Sequence, residues 1–423
     1  MKGKILTAAL YKTFNILNKG RLTYFYNEAK TSNENGVSNR HLLTDYLSQW
    51  GFDTELERNP AMDKTIIKEW INKTEHRKVH SWAYTGGSYG EPLRVPYSKT
   101  RGLIRTASLV YFNQLGGYTI GDPYALIRAK DKLAVLKFLR NEMIIVPYDT
   151  SSFKIEEMVL ELIRRNVILL MGYPSVIYEM ALFLKDNPSI MQRLKVNHII
   201  SVSEPLESYK QKVIRETFNC PFVDRYSNEE VGIIAQQRYA GEEYYVNQYG
   251  IFVEVVDPNT LLPVPEGLQG KVLVTDINND LIPMIRYDTG DLATVNSYIE
   301  NRLVSISSIT GRVTEQITNP EGKPVSPLTI GPFIYKPLSK ENKLVPYQFV
   351  QKGPAKYELR LKTNQGEISD SLSSIIMTGL AGLFGPDADV SIILVKDLAC
   401  QPSGKRPVFK NETQDATPSS PTE

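Results

Sequence analysis

Apolar residues recur along this chain with two alternating periods. Over residues 41–50 and 64–72 they fall three and four apart, the spacing that gathers them on one helical face. Asp63 stands where the second of these helices needs a cap. The same spacing predicts helices over 99–115, 130–140, 155–165, 175–184 and 208–218. Between them lie short, almost wholly apolar runs at 143–147, 167–171, 198–202 and 222–225. Runs of that length separated by helices predict buried parallel strands, and helices on both faces make an α/β layered domain.

After Gly241 the pattern changes. Residues 246–256, 270–276 and 292–295 read as strands joined by hairpin-like turns, a more antiparallel region. A smaller unit follows Gly311 and Arg312. It has strands at 348–350, 357–362 and 390–395 and a helix over 368–380, a small α+β domain. The expected division is therefore residues 1–312, 313–410, and a polar tail, 411–423, with too little to bury to remain ordered.

Composition narrows the class without naming a function. The chain has 423 residues, 42% hydrophobic and 23% charged, with a net charge of +2. That length suits two domains, and the near-neutral balance gives no overall field for nucleic acid or membrane. Cys220 and Cys400 are too few for a disulfide framework or a cysteine-rich zinc site, and the four histidines lack metal-ligand spacing. The first residues read as an amphipathic helix rather than a signal peptide, no segment reaches the length of a membrane span, and the expected compartment is the cytoplasm.

Four short motifs then carry chemistry. Thr85, Gly86, Gly87, Ser88, Tyr89 and Gly90 form a glycine loop whose amides and hydroxyls suit a phosphate; alone, it also reads as a surface turn. Asp224, Arg225, Tyr226, Ser227 and Glu230 follow a strand. Tyr226 can lie flat against a purine and Glu230 can hold Mg²⁺, or the segment is a solvated acidic loop. Arg286 to Asp291 ends in a carboxylate able to accept both ribose hydroxyls, or forms an ordinary β-turn. Lys405, after Ser403 and Gly404, can stabilise developing negative charge, or is a solvated lysine.

The order of these motifs resembles the adenylate-forming (ANL, AMP-binding) superfamily, and within it the phenylacetate-CoA ligase branch and its CapK-type capsular-polysaccharide relatives. The carrying residues also include Pro92, the Ser203–Glu204–Pro205–Leu206 segment, and Gly311 with Arg312. The resemblance spans about residues 43–410 and is specific for the superfamily, not for a substrate. It implies an ANL-type fold, a large multi-layer N-terminal domain with mixed sheets plus a small α+β C-terminal domain. It implies that Thr85 to Gly90 hold the β- and γ-phosphates, and that Ser203, Glu204 and Pro205 line the adenine pocket. Tyr226 would stack on adenine above Asp224 and Arg225, Glu230 would bind Mg²⁺, Asp291 the ribose, and Arg312 ribose or phosphate. Tyr173, Pro174 and Ser227 would meet the acid, and Lys405 would catalyse adenylation.

The implied activity is ATP-dependent activation of a carboxylic acid, then transfer to CoA or another thiol or amine acceptor. Surface-polysaccharide or secondary-metabolite biosynthesis is the implied setting, with ATP, Mg²⁺ and in the ligase case CoA as cofactors, and no zinc. Tyr89 and Glu91 depart from the usual Thr or Ser and Lys, and Glu229 from the usual Thr. A carboxylate beside triphosphate weakens binding. That keeps open a non-catalytic relative, and a sugar-nucleotide transferase in which Lys405 is dispensable.

Overall fold

A computed structural model describes residues 2–35, 40–84, 93–239, 241–312, 317–325, 327–341, 343, 345–363, 368–401 and 404–413. The phosphate-loop residues 85–92 and, of the expected tail 411–423, residues 414–423 lie outside the described residues, while Asn411 ends a strand. Contacts divide the chain into two compact units. The first comprises residues 1–146 and 157–311, the second residues 147–156 and 312–423.

The first unit opens with helices α1 (Lys2–Leu17), α2 (Arg21–Asn35), α3 (Arg40–Gln49) and α4 (Lys64–Asn72). Asp63 does cap α4, its side chain accepting from the Thr65 and Ile66 amides. The hairpin β1 (Ser81–Tyr84) and β2 (Arg94–Tyr97) precedes α5 (Lys99–Leu115), which Ser98 caps. An alternating stretch follows: β3 (Tyr124–Ile127), α6 (Ala134–Leu139), β4 (Glu142–Ile145), α7 (Ser152–Arg164), β5 (Leu169–Gly172), α8 (Pro174–Asp186), α9 (Pro188–Met191), β6 (His198–Val202), α10 (Ser208–Phe218) and β7 (Phe222–Asn228). Then come β8 (Gly232–Gln237), β9 (Tyr244–Val246), β10 (Ile251–Val256), β11 (Gln269–Asp276), β12 (Tyr287–Ile299) and β13 (Arg302–Arg312).

Among the described residues, strands β3 to β13 form one mixed sheet in the order β10-β11-β12-β13-β9-β8-β7-β6-β5-β3-β4. The runs read as buried parallel strands are parallel: β4, β3, β5, β6 and β7 pair in that sense. From β7 onward the pairs β7–β8, β8–β9 and β10–β11 are antiparallel, so the change expected after Gly241 already begins at β8, where the chain folds straight back on β7. The run 246–256 is two strands, not one, because residues 247–250 turn away between β9 and β10. The main core gathers Leu47, Ile67, Val95, Ile234, Val255, Val274, Met284, Tyr287 and Ile306.

The second unit contains β14 (Ile317–Thr318), β15 (Pro324–Val325), α11 (Pro327–Lys340), β16 (Tyr347–Gly353), β17 (Lys356–Lys362), α12 (Asp370–Phe384), β18 (Asp389–Val395) and β19 (Phe409–Asn411). Its sheet runs β18-β17-β16-β19, antiparallel at the centre and parallel at both edges. Phe349 stacks with Tyr357 and Phe384 over that sheet to form its core.

Candidate functional site

Two irregularities in the large sheet build the site. The β7–β8 pairing shifts register between Tyr226 and Ser227. The β11–β12 pairing shifts between Lys271 and Leu273, whose partners are Leu292 and Asp288. Residues 289–291 therefore bulge out of β12 opposite Val272. Gly290 makes the bulge possible, since its φ of +78° is costly for any side chain. Asp288 accepts from the Gly290 amide, and the Thr289 hydroxyl donates to the Val272 carbonyl. Bulges re-aim side chains, and these two aim theirs at each other.

Two hydrogen bonds join the motifs. The Tyr226 hydroxyl donates to Asp291 Oδ2 at 2.7 Å and lies 3.2 Å from Thr289 Oγ1. The Tyr287 hydroxyl donates to Glu230 Oε1 at 2.9 Å. Residues 224–230 and 286–291 thus form one constellation. Tyr226 and Glu230 are buried, while Ser227 and Asp291 are half-buried.

Strand β2 and helix α5 brace this constellation from behind. Tyr97 donates to the Glu229 carbonyl at 3.0 Å, and Arg101 to the Glu230 carbonyl at 2.7 Å. Arg101 also pairs with buried Asp276 at 2.7 Å, while Arg105 pairs with Glu229 at 3.0 Å and bonds the Tyr97 hydroxyl. Both guanidinium groups lie over the Tyr97 ring. Sequence reasoning missed these three residues. The available signal was the four-residue spacing of Arg101 and Arg105 on a strongly predicted helix.

Asp224 and Arg225 both face the interior. Asp224 accepts from the Ser201 hydroxyl and from Tyr244 at 2.6 Å, and burial pushes its carboxyl up to about 6. Arg225 bonds Gln236 at 2.7 Å and Asn113 at 2.8 Å, and burial pulls its guanidinium down to about 9. Arg286 is the more extreme case. Its backbone is left-handed at φ +46°, and its guanidinium makes four hydrogen bonds. The acceptors are Glu254 Oε2 and the carbonyls of Glu57, Asn59 and Leu261, while Glu254 Oε1 lies 3.1 Å away as an ion-pair contact.

Ser203 is exposed with φ +73°, a conformation that non-glycine residues rarely adopt; Pro205 is exposed beside it. Glu204 accepts from the Ser175 amide at 3.1 Å, which links the loop after β6 to the start of α8. There Tyr173 and Pro174 are buried, with Pro174 in the first turn of the helix, where a missing N–H costs nothing. Ser175 Oγ and Tyr178 Oη are buried without a hydrogen-bond partner among the described residues.

Glu230 is the residue that could hold a metal. One carboxylate suits Mg²⁺ only when phosphate oxygens and water complete its shell. Among the described residues no group of three or more His, Cys, Asp or Glu could hold an ion.

In the second unit, Lys405 sits half-exposed on a tight turn between β18 and β19. The Gly404 amide donates to the Gln401 carbonyl at 2.7 Å, and the Gln401 amide to the Lys405 carbonyl at 2.8 Å. Gly404 has φ +75°, and a Cβ there would lie 3.0 Å from Pro147. Buried Arg406 anchors the turn by donating to the Pro147 carbonyl at 2.6 Å and the Tyr148 carbonyl at 3.1 Å. Ser403, the Arg312 side chain and the loop residues Thr85 to Gly90 lie outside the described residues.

This architecture is the fold of the adenylate-forming ligases. A solved 2-hydroxyisobutyryl-CoA ligase, in the postadenylation state with R3-HIB-AMP, matches with a TM-score of 0.64 at 15% identity, covering 94% of this chain and 91% of that one. The same ligase with 2-HIB-AMP and CoA in the thioesterification state matches at 0.52 and 16% identity, over 94% and 91%. ATP-bound MatB from Rhodopseudomonas palustris matches at 0.51 and 17% identity, over 80% and 67%. No family model matches the sequence, and no curated protein matches it.

Proposed function

We propose that this protein activates a carboxylic acid with ATP and passes the acyl group to CoA or another thiol or amine acceptor. The carrying observation is the pair of hydrogen bonds, Tyr226 to Asp291 and Tyr287 to Glu230. Together they set an aromatic ring, a ribose-type carboxylate and a single buried carboxylate in one constellation. The solved ligases of this fold, one with an acyl-adenylate and one with ATP, support the reading.

In the first step an acid oxygen attacks the α-phosphorus and pyrophosphate leaves. In the second a thiol or amine attacks the acyl carbon, loses its proton, and AMP leaves. Asp291 holds the ribose, Tyr226 the adenine, and Ser203, Glu204 and Pro205 the rim of the base pocket. Thr85 to Gly90 hold the phosphates, Arg312 contacts ribose or phosphate, and Lys405 neutralises charge as the adenylate forms. Glu230 would hold Mg²⁺, whose role is to offset triphosphate charge. The acid meets Tyr173 and Pro174 at the start of α8, and Ser227. Membership of the phenylacetate-CoA ligase and CapK-type branch, and a role in polysaccharide or secondary-metabolite biosynthesis, belong to the same proposal.

Pyrophosphate release from Mg-ATP across aryl, fatty, amino and sugar acids tests it. One acid class should support release, and Lys405→Ala should slow it by about 10²–10³. Thioester formation from a supplied acyl-adenylate should stay nearly intact, and equal loss of both half-reactions would overturn the role of Lys405. A non-catalytic binding protein is the second reading, favoured by Tyr89 and Glu91, where the family usually carries Thr or Ser and frequently Lys. Mg-ATP binding with no release from any acid would establish it.

A further inference from the structure

Helix α1 turns Tyr11 toward the core of the first unit, yet leaves most of its large apolar side chains in solvent. It buries Thr7, and Asn18 just past its end, while Ile5, Phe14, Ile16 and Leu17 are 66%, 45%, 66% and 74% exposed. It packs beside α6, which buries none of its residues. There Leu133, Val135 and Phe138 are 72%, 60% and 68% exposed. The α1 residue Tyr11 lies within electrostatic reach of Arg140, at the end of α6, which fixes the two helices as neighbours. Single exposed apolar side chains are ordinary, but Ile5, Ile16 and Leu17 fall within about 120° of one another around α1, which adjoins the helix that leaves Leu133, Val135 and Phe138 exposed.

The charge around the patch says what covers it. Residues 1–21 carry five cations and no anion, and 128–142 carry five cations against two acids. The whole chain is only +2, so the excess is local. Lys12, Lys19, Arg21, Lys130 and Arg140 are exposed. A second copy docked about a two-fold axis would set these cations against themselves. An anionic lipid surface meets both demands, since its headgroups take the cations and its acyl boundary takes the apolar side chains. No described helix is long and apolar enough to cross a bilayer, so the contact is a peripheral one.

We propose that the α1–α6 face docks this protein on an anionic membrane surface. The test is flotation of the full chain with phosphatidylcholine vesicles, with and without phosphatidylserine. Partition into the anionic vesicles, weakened by salt, is the expected result. Leu17→Glu and Phe138→Glu should each lower it at least tenfold while leaving the thermal midpoint unchanged, because both side chains are exposed. Lys12→Gln and Lys19→Gln should each lower it about fivefold. Failure to partition, or partition indifferent to Phe138→Glu, would overturn the proposal. So would a lipid-free dimer that Phe138→Glu dissolves in light scattering, since the face would then belong to a second copy.

Discussion

Asp224 is a carboxyl held in an interior with hydroxyl donors and no cation bonded to it. Its folded value near 6 lies above the ordinary 3.8. The folded state therefore binds a proton more readily than the unfolded chain, and this residue's contribution to stability is full below about pH 4. It is lost as pH rises to about 6, a change of about 3 kcal/mol. Asp224→Asn should remove that fall, so the mutant's thermal midpoint should pull ahead of the parent's from pH 4 to pH 6. A constant difference across that range would show that Asp224 does not titrate there. The residue types and spacing of 224–230 and 286–291 were readable as a binding pattern. That Tyr226 and Asp291 touch was not, because it depends on two bulges, and a bulge leaves no periodic trace in sequence. Arg286 was equally hidden: its motif reads as a turn, and its carbonyl acceptors lie up to 229 residues away in the chain.

At the scale of elements, legibility followed local periodicity. Helices α5 and α10 and strand β6 have the bounds the apolar spacing predicts. The long hairpin of β12 and β13 was read only in part, because its turn lacks the usual Asn-Gly signal. Glu300 and Asn301 adopt it with φ of +49° and +62°, the mirror-image turn that suits twisted strands. Helix α6 begins at Ala134 rather than 130. Helix α11 was not read at all, since Pro332 and Pro337 lie inside it and each forfeits a backbone hydrogen bond. Packing prevails there: Ile330, Ile334 and Leu338, four apart, are fully buried. Pro337→Ala restores a donor to the Phe333 carbonyl and should stabilise the second unit by about 1–2 kcal/mol. The check is its denaturant midpoint; a lower one would mean that the proline ring is itself part of the packing.

At the scale of the whole molecule, the α/β class and the smaller α+β unit were legible because strand and helix runs alternate and then thin out. What no run of residues discloses is that 147–156, flanked on both sides by the first unit, makes its contacts in the second. Buried Lys362 donates to the Thr150 carbonyl at 2.6 Å and pairs with Asp397, as does Arg406. A fragment beginning at residue 312 would carry those cations without their carbonyl acceptors, at about 1–3 kcal/mol for each buried group left unpaired. It should melt well below the second unit of the intact chain, and a synthetic peptide of residues 147–156 added in trans should raise its midpoint. Absence of any peptide effect would mean that these bonds add no stability. The fragment that folds as one is thus not the fragment that a single pair of scissors yields. Any attempt to express the lysine-bearing half by itself must splice in ten residues from far upstream, or supply them as a partner.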